Sequence, residues 1–213
     1  MSLLLEGFYS EMEEKAKKMK NSSLASRMTY PIGYPTTFLP LDFMNGVRVN
    51  LENIDDDTGY TYDSLGMGEG SIVMLVGKPG SAKTTFAIQA ATSIVSRFPN
   101  SAIMHEDLEG GTSLPRIQTI SGWNSRMMNS QYIIRNEGID AESFFLRMDS
   151  FCKKKIDLAE QYPDQLKYFT GLLDIHGKPV YKLIPSVVIL DSLALLAPAG
   201  LTEDEKIAGN MSA

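Results

Sequence analysis

Cysteine is almost absent from this chain: Cys152 is the only one in 213 residues. That excludes an internal disulfide framework and any zinc site built from several thiolates, and it fits a reducing compartment. Long apolar runs are missing too. No stretch approaches the roughly 20 residues that a membrane-spanning helix requires. The opening stretch MSLLLEGFYSEMEEKAKK carries its charges after the short apolar patch, the reverse of a secretion signal. A soluble, cytoplasmic protein with no membrane partner is expected. Basic charge is in deficit, with 20 Lys and Arg against 26 Asp and Glu, a net charge of −6 and a pI near 5.0. The surface as a whole is therefore no polycationic cover for nucleic acid, although local loops can still hold phosphates. What is present, 43% hydrophobic and 22% charged residues, suits one globular domain with or without an appendage.

Residues 3–20 place Leu5, Phe8, Met12, Ala16 and Met19 at helical spacing among Glu and Lys. This reads as a short amphipathic helix followed by a polar linker, Asn21-Ser22-Ser23, which sets residues 1–25 apart as a packed helix or an oligomerisation arm. The Pro- and Gly-rich stretch at 30–46 implies loops with short strands, and Asp55-Asp56-Asp57 a solvated acidic turn. From residue 70 a rhythm appears. Residues 71–76, SIVMLV, form a continuous apolar run of strand length; residues 77–83 form a loop, and 84–97 a helix stopped by Pro99. A second strand is expected at 101–104, ending in the charged stretch HEDLEGG. Helices follow at 114–120 and 140–161, the latter with Phe145, Met148, Cys152, Ile156 and Ala159 on one face and Lys153-Lys154-Lys155 as a solvated charge run. Residues 168–184 alternate around His176-Gly177 as a hairpin, and Val187-Val188-Ile189-Leu190 make a third apolar strand ending at Asp191. Strands alternating with helices imply an α/β fold, a mostly parallel sheet flanked by helices with an inserted hairpin.

The loop LVGKPGSAKTT nearly matches the phosphate-binding pattern G-x-x-x-x-G-K-[ST]. Gly77, Lys83 and Thr84 obey it, while Ala82 stands where the second glycine belongs. In such a loop, residues Gly77, Lys78, Pro79, Gly80, Ser81 and Ala82 and the helix start at Lys83, Thr84 and Thr85 wrap the phosphates, every one but Pro79 offering a backbone N–H group. Lys83 reaches the β- and γ-phosphates, and the Thr84 hydroxyl faces Mg²⁺. Asp191, at the carboxyl edge of an apolar strand, suits the second Mg²⁺ contact, with Ser192 beside it. Hydrolysis also needs a carboxylate that orients water, which Glu106, Asp107 or Glu109 can supply. Right-handed helical torsions at Ala82 are open to alanine, so the missing glycine is not expected to disqualify the loop.

These residues resemble the RecA family of recombinase ATPases, with its phage UvsX-type and archaeal RadA-type relatives. IVMLVGKPGSAKTT is similar to their Walker A segment, VVILDSLALLAP to their Walker B segment, and DLEGGTSLPR to the D-x-E-G segment after the second core strand. PTTFLPLDFMNG, with Leu41-Asp42, resembles the segment that precedes the core. The resemblance implies a RecA-like P-loop NTPase core over residues 26–213, with ATP and Mg²⁺ as cofactors and Glu109 and Lys83 as catalytic groups. It also implies DNA-dependent ATP hydrolysis, single-stranded DNA as partner, assembly into a helical filament or ring, and strand exchange in recombination and repair. The length between Glu109 and Asp191 favours a phage-type origin and thus the cytoplasm of a bacterial or phage-infected cell. LTEDEKIAGNMSA is similar to the first DNA-binding loop, so the core is expected to be incomplete. Alternatives of lower rank are a replicative helicase motor of the same core, a non-catalytic nucleotide-binding module and a small-molecule kinase.

Overall fold

A computed structural model describes residues 32–52, 59–136, 138–174, 177–198 and 200. The expected N-terminal helix, the acidic turn at 55–57, His176 and the stretch LTEDEKIAGNMSA lie outside the described residues. The chain divides at Ile32/Gly33, and all that follows concerns the second unit.

In chain order the elements are β1 (Gly33–Tyr34), α1 (Leu39–Asn45), β2 (Val47–Glu52), β3 (Gly59–Ser64), β4 (Met67–Gly68), α2 (Lys83–Val95) and β5 (Ile103–Asp107). There follow α3 (Leu114–Ser121), α4 (Ser125–Gln131), β6 (Tyr132–Arg135), α5 (Ala141–Gln161), the single turn α6 (Pro163–Leu166), β7 (Lys167–Leu173), β8 (Pro179–Leu183) and β9 (Val187–Asp191). The fold is mixed α/β. Its centre is a parallel three-stranded sheet in the order β6-β5-β9. Three antiparallel ribbons accompany it: β1 with β4, β2 with β3, and β7 with β8. The last of these is the hairpin expected at 168–184.

Successive strand residues point to opposite faces, and the pattern decides what covers each face. Ile103 of β5, Tyr132 of β6 and Ile189 of β9 join Ile88, Ala91 and Val95 of α2, Ile117 of α3, Trp123 of the loop after α3 and Met128 of α4 in one buried cluster. The spacing 88, 91, 95 gives α2 an apolar stripe, and each fully buried Ile or Val contributes about 1.5–3 kcal/mol. Thr92 fits within the stripe because its hydroxyl donates to the Ile88 carbonyl oxygen. The helix α3 starts on an Ser113 cap and stops at Gly122, whose φ of 69° is the left-handed torsion glycine tolerates. On the other face, Arg147 of α5 reaches Glu106.

Three expectations change. The run 71–76 is not a strand; it belongs to no regular element and is exposed, with Ile72 98% and Val76 85% accessible. An all-apolar strand is stable between neighbouring strands and under helices; among the described residues β9 is paired on one side only, by β5, and no ladder includes this run. The strand expected at 101–104 runs instead through His105, Glu106 and Asp107. Polar residues remain in the sheet because each finds a partner: Glu106 meets Arg147, His105 meets Tyr132 and Asp107 accepts from Thr112. In α5 the buried residues are Phe144 and Ala159, whereas Phe145, Cys152 and Ile156 are exposed. The helix is turned by about one residue so that Arg147 and Lys155 face inward, Lys155 donating to the Ile184 carbonyl and to Ser186 Oγ.

Candidate nucleotide and cation site

The glycine loop brings the chain from the exposed run into α2. Ser81 N–H donates to the Lys78 carbonyl, closing a turn. Gly80 sits at φ 77°, a torsion glycine adopts readily, while a Cβ on Gly77 would lie 2.7 Å from Ser81 Oγ and displace that side chain. Ala82, the cap of α2, has φ 63° and ψ 22°. This corrects the right-handed torsion expected from sequence: the position uses the left-handed region, where a glycine is at ease and an L-residue is strained. The first turn of α2 contains no acidic residue and its cap supplies no side-chain acceptor. Its N–H groups are therefore available to an anion from outside.

Lys83 and Thr84 point to different neighbours. The Lys83 ammonium donates to the carbonyl oxygens of Gly77 (2.8 Å) and Lys78 (3.1 Å), so it is folded back on its own loop. Thr84 Oγ1 donates to Asp191 Oδ2 at 2.6 Å, tying the start of α2 to the end of β9 across 107 residues of chain. Thr85 is half-buried in the same turn, while Lys78, Pro79, Gly80 and Ser81 are exposed. Ser192 is half-buried after Asp191, and the peptide between them is cis.

The acidic stretch after β5 splits into three environments. Glu106 is 1% exposed and holds Arg147 at 2.9 Å, with Arg135 at 3.7 Å, on the sheet face away from α2. It is a structural ion pair. Asp107 is wholly buried; its Oδ2 accepts the Thr112 N–H at 2.8 Å. Glu109 is exposed in the loop beyond, where its backbone N–H, with that of Leu108, donates to the Asp191 carbonyl oxygen. Glu109 thus stands next to the end of β9, and of the three acids it alone is open to solvent.

Sequence reasoning missed His105. It lies two residues before Asp107 on the same strand face, and Asp107 is the register partner of Asp191. One ligand atom from each of His105, Asp107 and Asp191 lies within 4.8 Å of the others. His105 Nδ1 is 2.9 Å from the Tyr132 hydroxyl. Burial lowers the imidazole pKa, opposed by the charges of Asp107, Asp191 and Glu106; burial likewise pushes the Tyr132 hydroxyl up. Period-two alternation through H-E-D was the available signal, masked by reading the charges as the end of the strand.

Chemically, the site combines the N–H groups of a helix start, the loop-bound Lys83 ammonium, a hydroxyl and several carboxylates. Among the described residues no helix is long and apolar enough to cross a membrane. Compared with known proteins, the chain matches no family model, no curated protein and no solved structure.

Proposed function

We propose that this chain is the ATP-binding core of a RecA-type recombinase, acting on single-stranded DNA and assembling with further copies of itself. The observation that carries the reading is the 2.6 Å bond from Thr84 to Asp191, which joins a phosphate-loop helix to the carboxyl edge of a parallel strand. Glycine turns alone would be common; a glycine turn, lysine and threonine meeting a strand-end aspartate is a nucleotide arrangement.

The residues present fit Mg²⁺, because the Thr84 hydroxyl and the Asp191 carboxylate are hard oxygen donors already in contact. When bound, the ion neutralises phosphate charge. The chain's own residues do the remainder. The N–H groups opening α2 bind phosphate oxygens, and Lys83 exchanges the Gly77 and Lys78 carbonyls for the β- and γ-phosphates. Glu109 accepts a hydrogen bond from the attacking water and holds it in line. Its exposure and its backbone tie to Asp191 favour it over Glu106, which is occupied by arginine, and over Asp107, which is enclosed.

ATP hydrolysis by the full chain, measured with and without single-stranded DNA, tests the reading. Stimulation by DNA supports it, and no nucleotide binding at all refutes it. Electron microscopy with an ATP analogue and DNA separates a recombinase filament from a helicase ring. A passive nucleotide-binding module is favoured by two observations, the strained Ala82 and the self-engaged Lys83. Binding without hydrolysis under every condition would select it.

A further inference from the structure

Two buried polar atoms near the end of β5 have no hydrogen-bond partner among the described residues: His105 Nε2 and Asp107 Oδ1. His105 is 1% exposed and Asp107 0%. Orphaned buried groups are costly and rarely persist without a ligand, ion or water. These two are neighbours on one strand face, and with Asp191 they offer three ligand atoms within 4.8 Å of one another. We propose that His105, Asp107 and Asp191 form a binding site for a first-row divalent transition cation of the Mn²⁺ class.

The geometry is close to what such an ion needs. A triangle with edges no longer than 4.8 Å has its centre at most about 2.8 Å from each corner, against metal–ligand bonds of about 2.0–2.2 Å. Side-chain shifts of under about 1 Å close the difference. Each ligand is already held by a bond of its own. The Tyr132 hydroxyl fixes His105 through Nδ1; if Nδ1–H donates there, Nε2 presents its lone pair. Thr112 N–H holds Asp107 through Oδ2, leaving Oδ1 as the ligand. Thr84 holds Asp191.

The donor set also decides the class of ion. Mg²⁺ and Ca²⁺ prefer all-oxygen shells, whereas an imidazole with two carboxylates suits Mn²⁺, Fe²⁺ or Zn²⁺. A dipositive ion also compensates two carboxylates placed side by side at the register pair Asp107 and Asp191. The site shares Asp191 with the proposed nucleotide site but does not require nucleotide.

The test uses the full chain, stripped with a chelator and titrated with MnCl₂ in the absence of nucleotide. One bound Mn²⁺ is expected, with nitrogen-14 modulation in pulsed electron paramagnetic resonance that reports the imidazole directly. His105→Leu should abolish that modulation and weaken binding at least tenfold, and Asp107→Asn should weaken it similarly. Lys83→Ala, which disables the phosphate loop, should leave nucleotide-free Mn²⁺ binding unchanged. A bound Mn²⁺ without nitrogen coupling, or no Mn²⁺ binding by the wild-type chain, overturns the proposal. Because these two outcomes are read on the wild type, a variant that fails to fold does not protect it. ATP binding that persists beside either result leaves the nucleotide reading intact, so the two fail separately.

Discussion

Replacing Ala82 with glycine is expected to stabilise the protein, because Ala82 adopts φ 63° and ψ 22° at the start of α2. A left-handed L-residue costs about 1–2 kcal/mol relative to the right-handed region. Glycine removes that cost but brings extra freedom to the unfolded chain, a loss of about 0.4–1 kcal/mol. The net gain is about 0–1.6 kcal/mol, or a rise in Tm of up to about 6 °C for a chain of this length. Gly80→Ala is the reciprocal control. Gly80 has φ 77° and nothing within 4 Å of a built Cβ, so its substitution costs torsion alone and lowers Tm by a comparable amount. Differential scanning calorimetry without nucleotide measures both, and titration with ATP and Mg²⁺ should show Ala82→Gly within about tenfold of the wild-type Kd, or about 1.4 kcal/mol. An Ala82→Gly protein less stable than wild type would show that the chain enters α2 through right-handed torsions. A gain in affinity far beyond tenfold would place the methyl group against the phosphates.

Glu109→Gln should retain ATP binding and lose turnover; undiminished hydrolysis would remove Glu109 from the mechanism. Arg147→Ala leaves the buried Glu106 carboxylate without its closest cation, and such losses cost about 3–5 kcal/mol. The residual Arg135 contact points to the lower end of that range, a fall of about 6–12 °C in Tm, readable by thermal denaturation; a shift under about 2 °C would contradict the ion pair's importance. Lys155 is lowered by burial from its usual 10.5 to about 8. Between these values the unfolded chain binds more protons than the folded one, so this lysine makes stability rise with pH across that window and contributes no slope below it. Lys155→Met should flatten the difference in Tm between pH 8 and 9.5 relative to wild type; parallel pH profiles would refute the burial of the ammonium.

Long periodic segments were legible in the sequence. The helices at 83–95, 114–121 and 141–161, the strand at 187–191 and the hairpin at 167–183 all follow from spacing and turn residues. The segment 125–135, by contrast, gave little signal: SRMMNSQ is polar for a helix, and YIIR is short for a strand. The face of α5 was misjudged because Phe144 and Phe145 are adjacent, and either can lead an apolar stripe. What selects Phe144 is the inward register of Arg147, a partner 41 residues away in sequence from Glu106. In the candidate site, spacing singles out the loop residues and Thr84, and a strand end singles out Asp191; the contact between Thr84 and Asp191 is what the fold adds. The torsion at Ala82 was not legible, since alanine is compatible with the helix it precedes. Nor was the triad of His105, Asp107 and Asp191, because it depends on the register between β5 and β9, which no local pattern reports.

The exposed run at 72–76 has a consequence for how the protein behaves at concentration. Five consecutive exposed apolar residues outside any ladder, without proline, glycine or charge, combine the traits of a segment that recruits its own kind. Light scattering should therefore show association that grows with protein concentration and with sulfate, which strengthens apolar burial. A single lysine at Met74, 70% exposed at the middle of the run, should raise the concentration at which association begins. The same apolar residues that made this stretch look like the most secure strand in the sequence make it the surface on which solubility turns.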